Sequence, residues 1–150
     1  MKVRIIKINH NNDFNNDLEL PKYQTNGSAG LDVCSASEEP IIVPKGKVAL
    51  IPTGLAMAIP DGYECQVRSR SGLAAKNMVF CLNSPGTIDS DYRGEIKVIL
   101  ANLGDNDFVV NYGDRVAQLV FNKYAKIEWE FSDTLDETER GAGGFGSTGR

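Results

Sequence analysis

The sequence predicts an all-β domain, and three observations favour that fold class. Apolar and polar side chains alternate in segments such as 62–69 and 123–131, which is the period of a half-buried strand. Turn-forming residues, among them Asn26-Gly27 and Pro85-Gly86, separate many short β-rich runs, as in sandwiches and barrels. Only residues 71–77 have the pattern of a helix, and Ser71 is the candidate N-cap of this short piece.

The predicted strands follow one another along the chain. Residues 95–102 carry apolar side chains on both faces, so we expect both faces to be partly buried. Residues 123–131 place Ile127, Trp129 and Phe131 on one face and charged side chains on the other, which predicts a half-buried strand. Shorter β-rich runs occupy residues 3–8, 41–43, 48–51, 79–82 and 116–121.

Length and composition exclude several classes of protein. The chain has 150 residues and a net charge of −4, which suits one domain and argues against a broad surface for nucleic acid or anionic membranes. No apolar run is long enough to cross a bilayer. His10 is the only histidine and lies in a polar loop, and no Cys-x-x-Cys motif occurs, so a zinc site is not expected. The three cysteines fit the reduced thiols of a cytoplasmic protein.

The last residues differ from the rest of the chain. Residues 132–139 are acidic and lack a core pattern, and residues 140–150 contain five glycines. Such a segment buries little in its own domain. We therefore expect a β domain over residues 1–131 and a mobile tail over residues 132–150.

Two segments carry groups that suit metal or anion binding. Asp32, in Ala29-Gly30-Leu31-Asp32, could hold a hydrated Mg²⁺, or be a turn aspartate before a strand. Arg70-Ser71-Gly72 opens the predicted helix, so its backbone N–H groups and the guanidinium could bind a phosphate. The alternative is an ordinary helix N-cap beside a surface arginine.

A third segment, residues 83–94, combines an amide, a carboxylate and an aromatic ring in a predicted hairpin-like loop. Asp89 could act as a general base on water, and Tyr92 could stack on a sugar or a base. A polar hairpin without chemistry is the other interpretation.

Two further segments complete the set of candidates. Gln118 lies within an apolar strand, where an amide needs partners; it could bind a phosphate or a water, or be a structural amide. The glycine-rich tail, with Arg140 and its hydroxyl side chains, could wrap a terminal phosphate, or be disordered.

Taken together, the five segments resemble the five motifs of the homotrimeric dUTPase (deoxyuridine triphosphate nucleotidohydrolase) family. The resemblance runs from Ala29 to Gly149, and its most specific parts are the Gly-Thr-Ile-Asp-Ser-Asp-Tyr-Arg-Gly segment and the Phe-Gly-Ser-Thr-Gly tail. Ser69 stands where the family usually has proline. Asn77-Met78 stands where a glycine often follows the helix, and asparagine tolerates a positive φ better than most residues.

The resemblance implies a distorted jelly-roll fold in a homotrimer, with three active sites at subunit interfaces and each tail reaching a neighbour. The implied reaction is Mg²⁺-dependent hydrolysis of dUTP to dUMP and pyrophosphate, which limits uracil in DNA and supplies dUMP for dTMP synthesis. Asp89 would orient and deprotonate the attacking water, Tyr92 would close the 2′ side of the sugar, and Asp32 would hold Mg²⁺ through its waters.

The remaining residues would bind substrate in the same analogy. Asn83 and the backbone of the hairpin containing Gly86 and Ile88 would form the uracil pocket. Arg70, Ser71, Gly72 and Gln118 would hold the phosphates. In the tail, Arg140, Ser147 and Thr148 would clamp the γ-phosphate, while Phe145, followed by Gly146, would cover the uracil.

Two rival functions share this scaffold. A dCTP deaminase would act on the base, but its family lacks the Asp-Tyr hairpin and the Phe-Gly-Ser-Thr tail. A non-catalytic trimeric β module would be expected to lack Asp89 or Tyr92, and both are present.

Overall fold

The structure, a computed structural model, describes residues 1–8 and 17–144. His10 and four tail residues of the sequence analysis, Phe145, Gly146, Ser147 and Thr148, lie outside that part. The described residues form twelve strands and one helix: β1 (Arg4–Lys7), β2 (Lys22–Tyr23), β3 (Leu31–Cys34), β4 (Ile41–Val43), β5 (Val48–Pro52), β6 (Leu55–Ala58), β7 (Tyr63–Arg68), α1 (Ser71–Asn77), β8 (Val79–Cys81), β9 (Gly86–Ile88), β10 (Lys97–Asn102), β11 (Phe108–Val110) and β12 (Arg115–Lys123).

Antiparallel sheets enclose one apolar core. The largest has the strand order β2-β3-β12-β7-β9, and a second has the order β5-β10-β8. Strands β1 and β6 form one two-stranded pair, and β4 and β11 form another. Ile51, Leu55, Leu100 and Leu119 come from four different strands and are fully buried. The predicted all-β class with one short helix is therefore confirmed.

The prediction of a strand over residues 123–131 was wrong. Strand β12 ends at Lys123, and residues 124–131, called the arm below, have no regular structure. Ile127, Trp129 and Phe131 are 63%, 83% and 100% exposed. Alternation supplies an apolar face but no hydrogen-bonding neighbour, and no strand in residues 1–8 or 17–144 pairs with the arm.

Four local predictions were also corrected. The helix covers residues 71–77 as expected, but its N-cap is Arg70, not Ser71, and no side chain caps it. The positive φ after the helix falls on Met78, at 54°, rather than on Asn77. Asp32 lies within β3, and residues 86–88 of the expected loop form β9, because both segments find hydrogen-bonding partners on neighbouring strands.

Within the described residues, this seven-residue piece is the only α-helix, and no helix there is long and apolar enough to cross a membrane.

Candidate active site

The register of β12 brings three of the five segments together. Gln118 lies opposite Asp32 of β3 on one side and opposite Arg68 of β7 on the other. The chain leaves β7 at Arg68 and enters α1 after Arg70. The five-stranded sheet therefore places Asp32, Arg70 and Gln118 at neighbouring positions, although they are far apart in sequence.

Asp32 forms ion pairs with two arginines. One carboxylate oxygen lies 3.1 Å from Arg70 Nε and the other lies 3.1 Å from Arg115 Nη1. Arg70 Nη1 also donates a 2.9 Å hydrogen bond to the carbonyl oxygen of Arg115. The Asp32 side chain is only 16% exposed, so solvent screens these pairs less than it screens a surface pair. Asp32 therefore fixes both guanidinium groups beside the start of α1.

The first turn of α1 is open to an anion. Helices begin with backbone N–H groups that have no intrahelical acceptor, and here no side chain accepts from them. The first turn also contains no acidic residue. Ser71 and Gly72 are exposed, and Arg70 adds a positive charge beside their N–H groups.

Ser69 connects this region to the hairpin that follows β8. Its carbonyl oxygen accepts a 2.9 Å hydrogen bond from Gln118 Nε2. Its hydroxyl accepts a 2.9 Å hydrogen bond from the Cys81 N–H and lies 3.3 Å from the Ser84 hydroxyl. The structure therefore gives Gln118 a structural partner, which was one of the two interpretations of this amide.

A pocket of about 400 Å³ contains five of the predicted site residues. Asp89 is exposed at its edge, and Tyr92 is 46% exposed. Apolar residues, Leu50, Val67, Ile96 and Ile99, form its walls. We call this the Tyr92 pocket; the predicted residues that line it are Asn83, Gly86, Ile88, Asp89 and Tyr92.

Two glycines make room for amide side chains at the site. A methyl group on Gly86 would lie 2.8 Å from Asn83 Nδ2. A methyl group on Gly30 would overlap Gln118 Oε1 and lie 3.1 Å from Gln118 Cδ. Any larger residue at either position would therefore move the amide.

The cysteines are unpaired, as predicted. Cys65 and Cys81 are buried and Cys34 is partly buried. Burial is the main cause that raises the pKa of all three thiols, that of Cys65 to about 12. The thiols are therefore protonated at neutral pH and do not offer a thiolate nucleophile.

Arg140 is the one predicted tail residue that the structure describes. It is exposed, and its Nε donates a 2.7 Å hydrogen bond to the carbonyl oxygen of Gly143 in its own turn. Among the described residues, the structure does not bring it to Arg70 or to the Tyr92 pocket.

Comparison with known proteins assigns the chain to a family. The family model for dUTPase matches residues 16–149. The chain belongs to the dUTPase family. A deoxyuridine 5'-triphosphate nucleotidohydrolase of Rickettsia bellii (strain OSU 85-389) is 60% identical over 131 residues, which are 87% of each chain.

Solved dUTPase structures share the fold. A point mutant of the dUTPase of Staphylococcus bacteriophage 80alpha, with dUpNHpp, superposes with a TM-score of 0.86 at 22% identity over 99% of each chain. A mutant dUTPase from phage phi11 of S. aureus, whose structure describes the coordination of a structural Mg(II) ion, gives a TM-score of 0.76 at 22% identity, covering 90% of this chain and 99% of that one. The dUTPase jelly roll expected from the five motifs is thereby confirmed.

The sequence analysis did not assign a role to two residues of this candidate site. Arg115 shares Asp32 with Arg70, and Ser69 joins Gln118 to the hairpin. Arg115 lies three residues before Gln118, in the segment 113–119 that resembles the family's fourth motif, and Ser69 stands where that resemblance leads one to expect proline. The serine at position 69 was the signal in the sequence for such a role, because a hydroxyl group can form hydrogen bonds that a proline ring cannot.

Proposed function

We propose that the chain hydrolyses dUTP to dUMP and pyrophosphate by attack of water on the α-phosphorus. The observation that carries the proposal is the grouping of Asn83, Asp89 and Tyr92 around one pocket, joined through Ser69 to the arginines at the start of α1. A base and sugar could occupy the pocket while the phosphates extend toward the arginines.

Asp89 is the proposed general base. Its side chain is exposed at the pocket edge, where a carboxylate can orient a water molecule and accept its proton. This proton transfer needs no covalent intermediate, so the rest of the catalysis is positioning and charge stabilisation.

Asn83 and Tyr92 are the proposed selectivity residues. The amide of Asn83, with the backbone at Gly86 and Ile88, offers hydrogen-bonding groups to uracil, and a base that leaves them unpaired is rejected. The Tyr92 ring packs against the deoxyribose and leaves no space for a 2′-hydroxyl.

Arg70, Ser71, Gly72 and Gln118 form the proposed phosphate cradle. The guanidinium of Arg70 is held by Asp32, which reduces the conformational freedom lost on binding phosphate. Gln118 Nε2 is already used by Ser69, so its Oε1 remains to accept from a positioned water.

Mg²⁺ is the proposed metal ion, and Asp32 fits it through water. In the part of the chain that the structure describes, no three acidic, cysteine or histidine side chains are grouped so that they could hold a metal ion. Each oxygen of Asp32 already accepts from one arginine, and its remaining lone pairs can accept from a metal-bound water. Oxygen ligands suit Mg²⁺, which keeps several waters. When bound, Mg²⁺ would neutralise charge on the phosphates.

A homotrimer with shared sites is the proposed assembly. The apolar residues of the arm are exposed in one chain, and covering them requires another surface. Arg140 does not reach the cradle of its own chain, which supports a tail, residues 132–150, that completes a neighbour's site. Phe145, Gly146, Ser147 and Thr148 would then bind the uracil and the γ-phosphate together with Arg140.

The proposed cellular role follows from the reaction. Removal of dUTP limits uracil incorporation into DNA, and dUMP feeds dTMP synthesis. The reduced thiols and the reaction fit a cytoplasmic enzyme.

A pyrophosphate-release assay with dUTP and Mg²⁺ tests the proposal, and an Asp89→Asn variant is its control. Rapid release by the unaltered chain and slow release by the variant support hydrolysis at this site. Ammonia released from dCTP would instead identify a deaminase. Neither product, with dUTP bound, would identify a non-catalytic binding module.

A further inference from the structure

The phenol of Tyr92 lies over Gly94 and occupies the space that a side chain at position 94 would need. A methyl group on Gly94 would lie 2.7 Å from Tyr92 Cζ and 3.0 Å from Cε2, and would overlap the hydroxyl oxygen. Gly94 is not one of the glycines with a positive φ, so its backbone alone would accept alanine. The absence of a side chain therefore matters here for the space that the tyrosine ring occupies.

A hydrogen bond holds the same end of the ring in place. The Tyr92 hydroxyl donates to the carbonyl oxygen of Glu95 at 2.9 Å. The Glu95 carboxylate accepts a 3.0 Å hydrogen bond from the Gly54 N–H and lies 3.4 Å from Lys97 Nζ. Its carboxylate is thus tied to the segment between β5 and β6, which fixes the position of the acceptor.

Ile96 strengthens the same attachment. Its N–H donates a 2.8 Å hydrogen bond to the carbonyl oxygen of Leu55, and its own carbonyl oxygen accepts a buried 2.6 Å hydrogen bond from Thr53 Oγ1. Glu95 and Ile96 therefore form a rigid support, and the Tyr92 ring can lie against it only because Gly94 has no Cβ.

We propose that Gly94 is a specificity-determining positioning residue, which sets the distance between the Tyr92 ring and the sugar of the nucleotide. This inference rests on the proposed function, in which Tyr92 closes the 2′ side of the deoxyribose. A side chain at position 94 turns the ring, breaks its hydrogen bond to Glu95 and changes the space left for a 2′-hydroxyl.

The test compares kcat/KM for dUTP and UTP in four proteins: the unaltered chain, Gly94→Ala, Tyr92→Ala and the double variant. We expect Gly94→Ala to lower the dUTP/UTP ratio about tenfold or more, the scale on which one carbon changes discrimination in a shaped pocket. In the Tyr92→Ala background, Gly94→Ala should leave the ratio nearly unchanged, because the ring it displaces is gone.

Gly27→Ala is the matched control. A methyl group on Gly27 would meet no atom within 4 Å, and its φ is not positive. We expect this variant to keep the native ratio, which separates an effect of position 94 from a general effect of replacing glycine.

Two results would overturn the inference. The first is a folded Gly94→Ala variant that keeps the native dUTP/UTP ratio. The second is a Gly94→Ala substitution that lowers the ratio by the same factor in the unaltered chain and in the Tyr92→Ala background. A crystal structure of Gly94→Ala adds a readout independent of turnover: the phenol must have left the Glu95 carbonyl, and an unmoved ring contradicts the proposal.

If Gly94→Ala does not fold, Tyr92→Phe tests the same support by removing only the hydroxyl that Glu95 holds. It should lower the ratio less than Tyr92→Ala does, and an unchanged ratio would count against the rigid support. Absence of dUTP turnover in the unaltered chain would refute the proposed function. In that case the crystal structure of Gly94→Ala still shows whether a side chain at position 94 displaces the Tyr92 ring.

Discussion

Gln118 Nε2 donates a 2.9 Å hydrogen bond to the carbonyl oxygen of Ser69. This contact joins the strand that carries Gln118 to the residue just before Arg70. The Ser69 hydroxyl continues the connection to Cys81 and Ser84. One residue that departs from the family pattern thus connects three segments of the site.

Replacing Ser69 by alanine should lower the free energy of unfolding by about 1–3 kcal/mol, because the partly buried Cys81 N–H loses its acceptor. Denaturant unfolding measures the change. Ser84→Ala is the control: Ser84 is exposed and loses only a 3.3 Å contact, so its effect should stay within about 0.5 kcal/mol. Equal effects of the two variants would contradict this role for the Ser69 hydroxyl.

Replacing Asp89 by asparagine should lower kcat about 10²–10⁴-fold, because the amide keeps the shape of the side chain but cannot accept a proton from water. Affinity for dUTP, measured by calorimetry, should change little. A variant with nearly native kcat would remove Asp89 from the role of general base.

Replacing Met78 by glycine should raise the free energy of unfolding by about 1 kcal/mol, because Met78 has a φ of 54°, which strains a residue with a Cβ. Asn77→Gly is the opposite control: residue 77 is the last residue of α1, where glycine is less favourable than asparagine by about 0.3 kcal/mol. Thermal unfolding of both variants measures the difference. If Met78→Gly is the less stable, contacts of the methionine side chain outweigh the backbone strain.

Deleting residues 140–150 should leave the fold intact and remove most of the turnover. Residues 140–142 are exposed and Gly143 and Gly144 are only partly buried, so their loss should change core packing little. Thermal midpoint, mass by light scattering and kcat should be measured on the same preparation. Unchanged kcat would exclude a catalytic lid, and a dissociated assembly would assign the tail a structural role.

Local patterns predicted most of the fold, and cross-strand contacts explain what they missed. Alternation located β7 and β10, and apolar runs located β5 and β8. The same alternation predicted a strand in the arm, because a sequence pattern does not say whether a partner strand is available. The site depends on strand register in the same way. Asp32 of β3 forms ion pairs with Arg115 of β12 and with Arg70, which precedes α1, and a local sequence pattern does not show that these three residues meet.

The backbone after α1 is a further example. Asn77 was the expected residue for the positive φ, but Met78 has it. The Met78 N–H donates to the carbonyl oxygens of Leu73 and Ala74 and so closes the helix at residue 78. Hydrogen bonding at the end of the helix fixes which residue turns, and residue preference is the weaker influence there.

The exposed arm gives the molecule an intrinsic fluorophore at an informative place. Trp129 is the only tryptophan in the sequence and is 83% exposed. The emission of a solvated indole moves to shorter wavelength when an apolar surface replaces water around the ring. Association follows mass action, so the emission maximum of Trp129, followed during simple dilution, reports how much of the arm is covered without any added label.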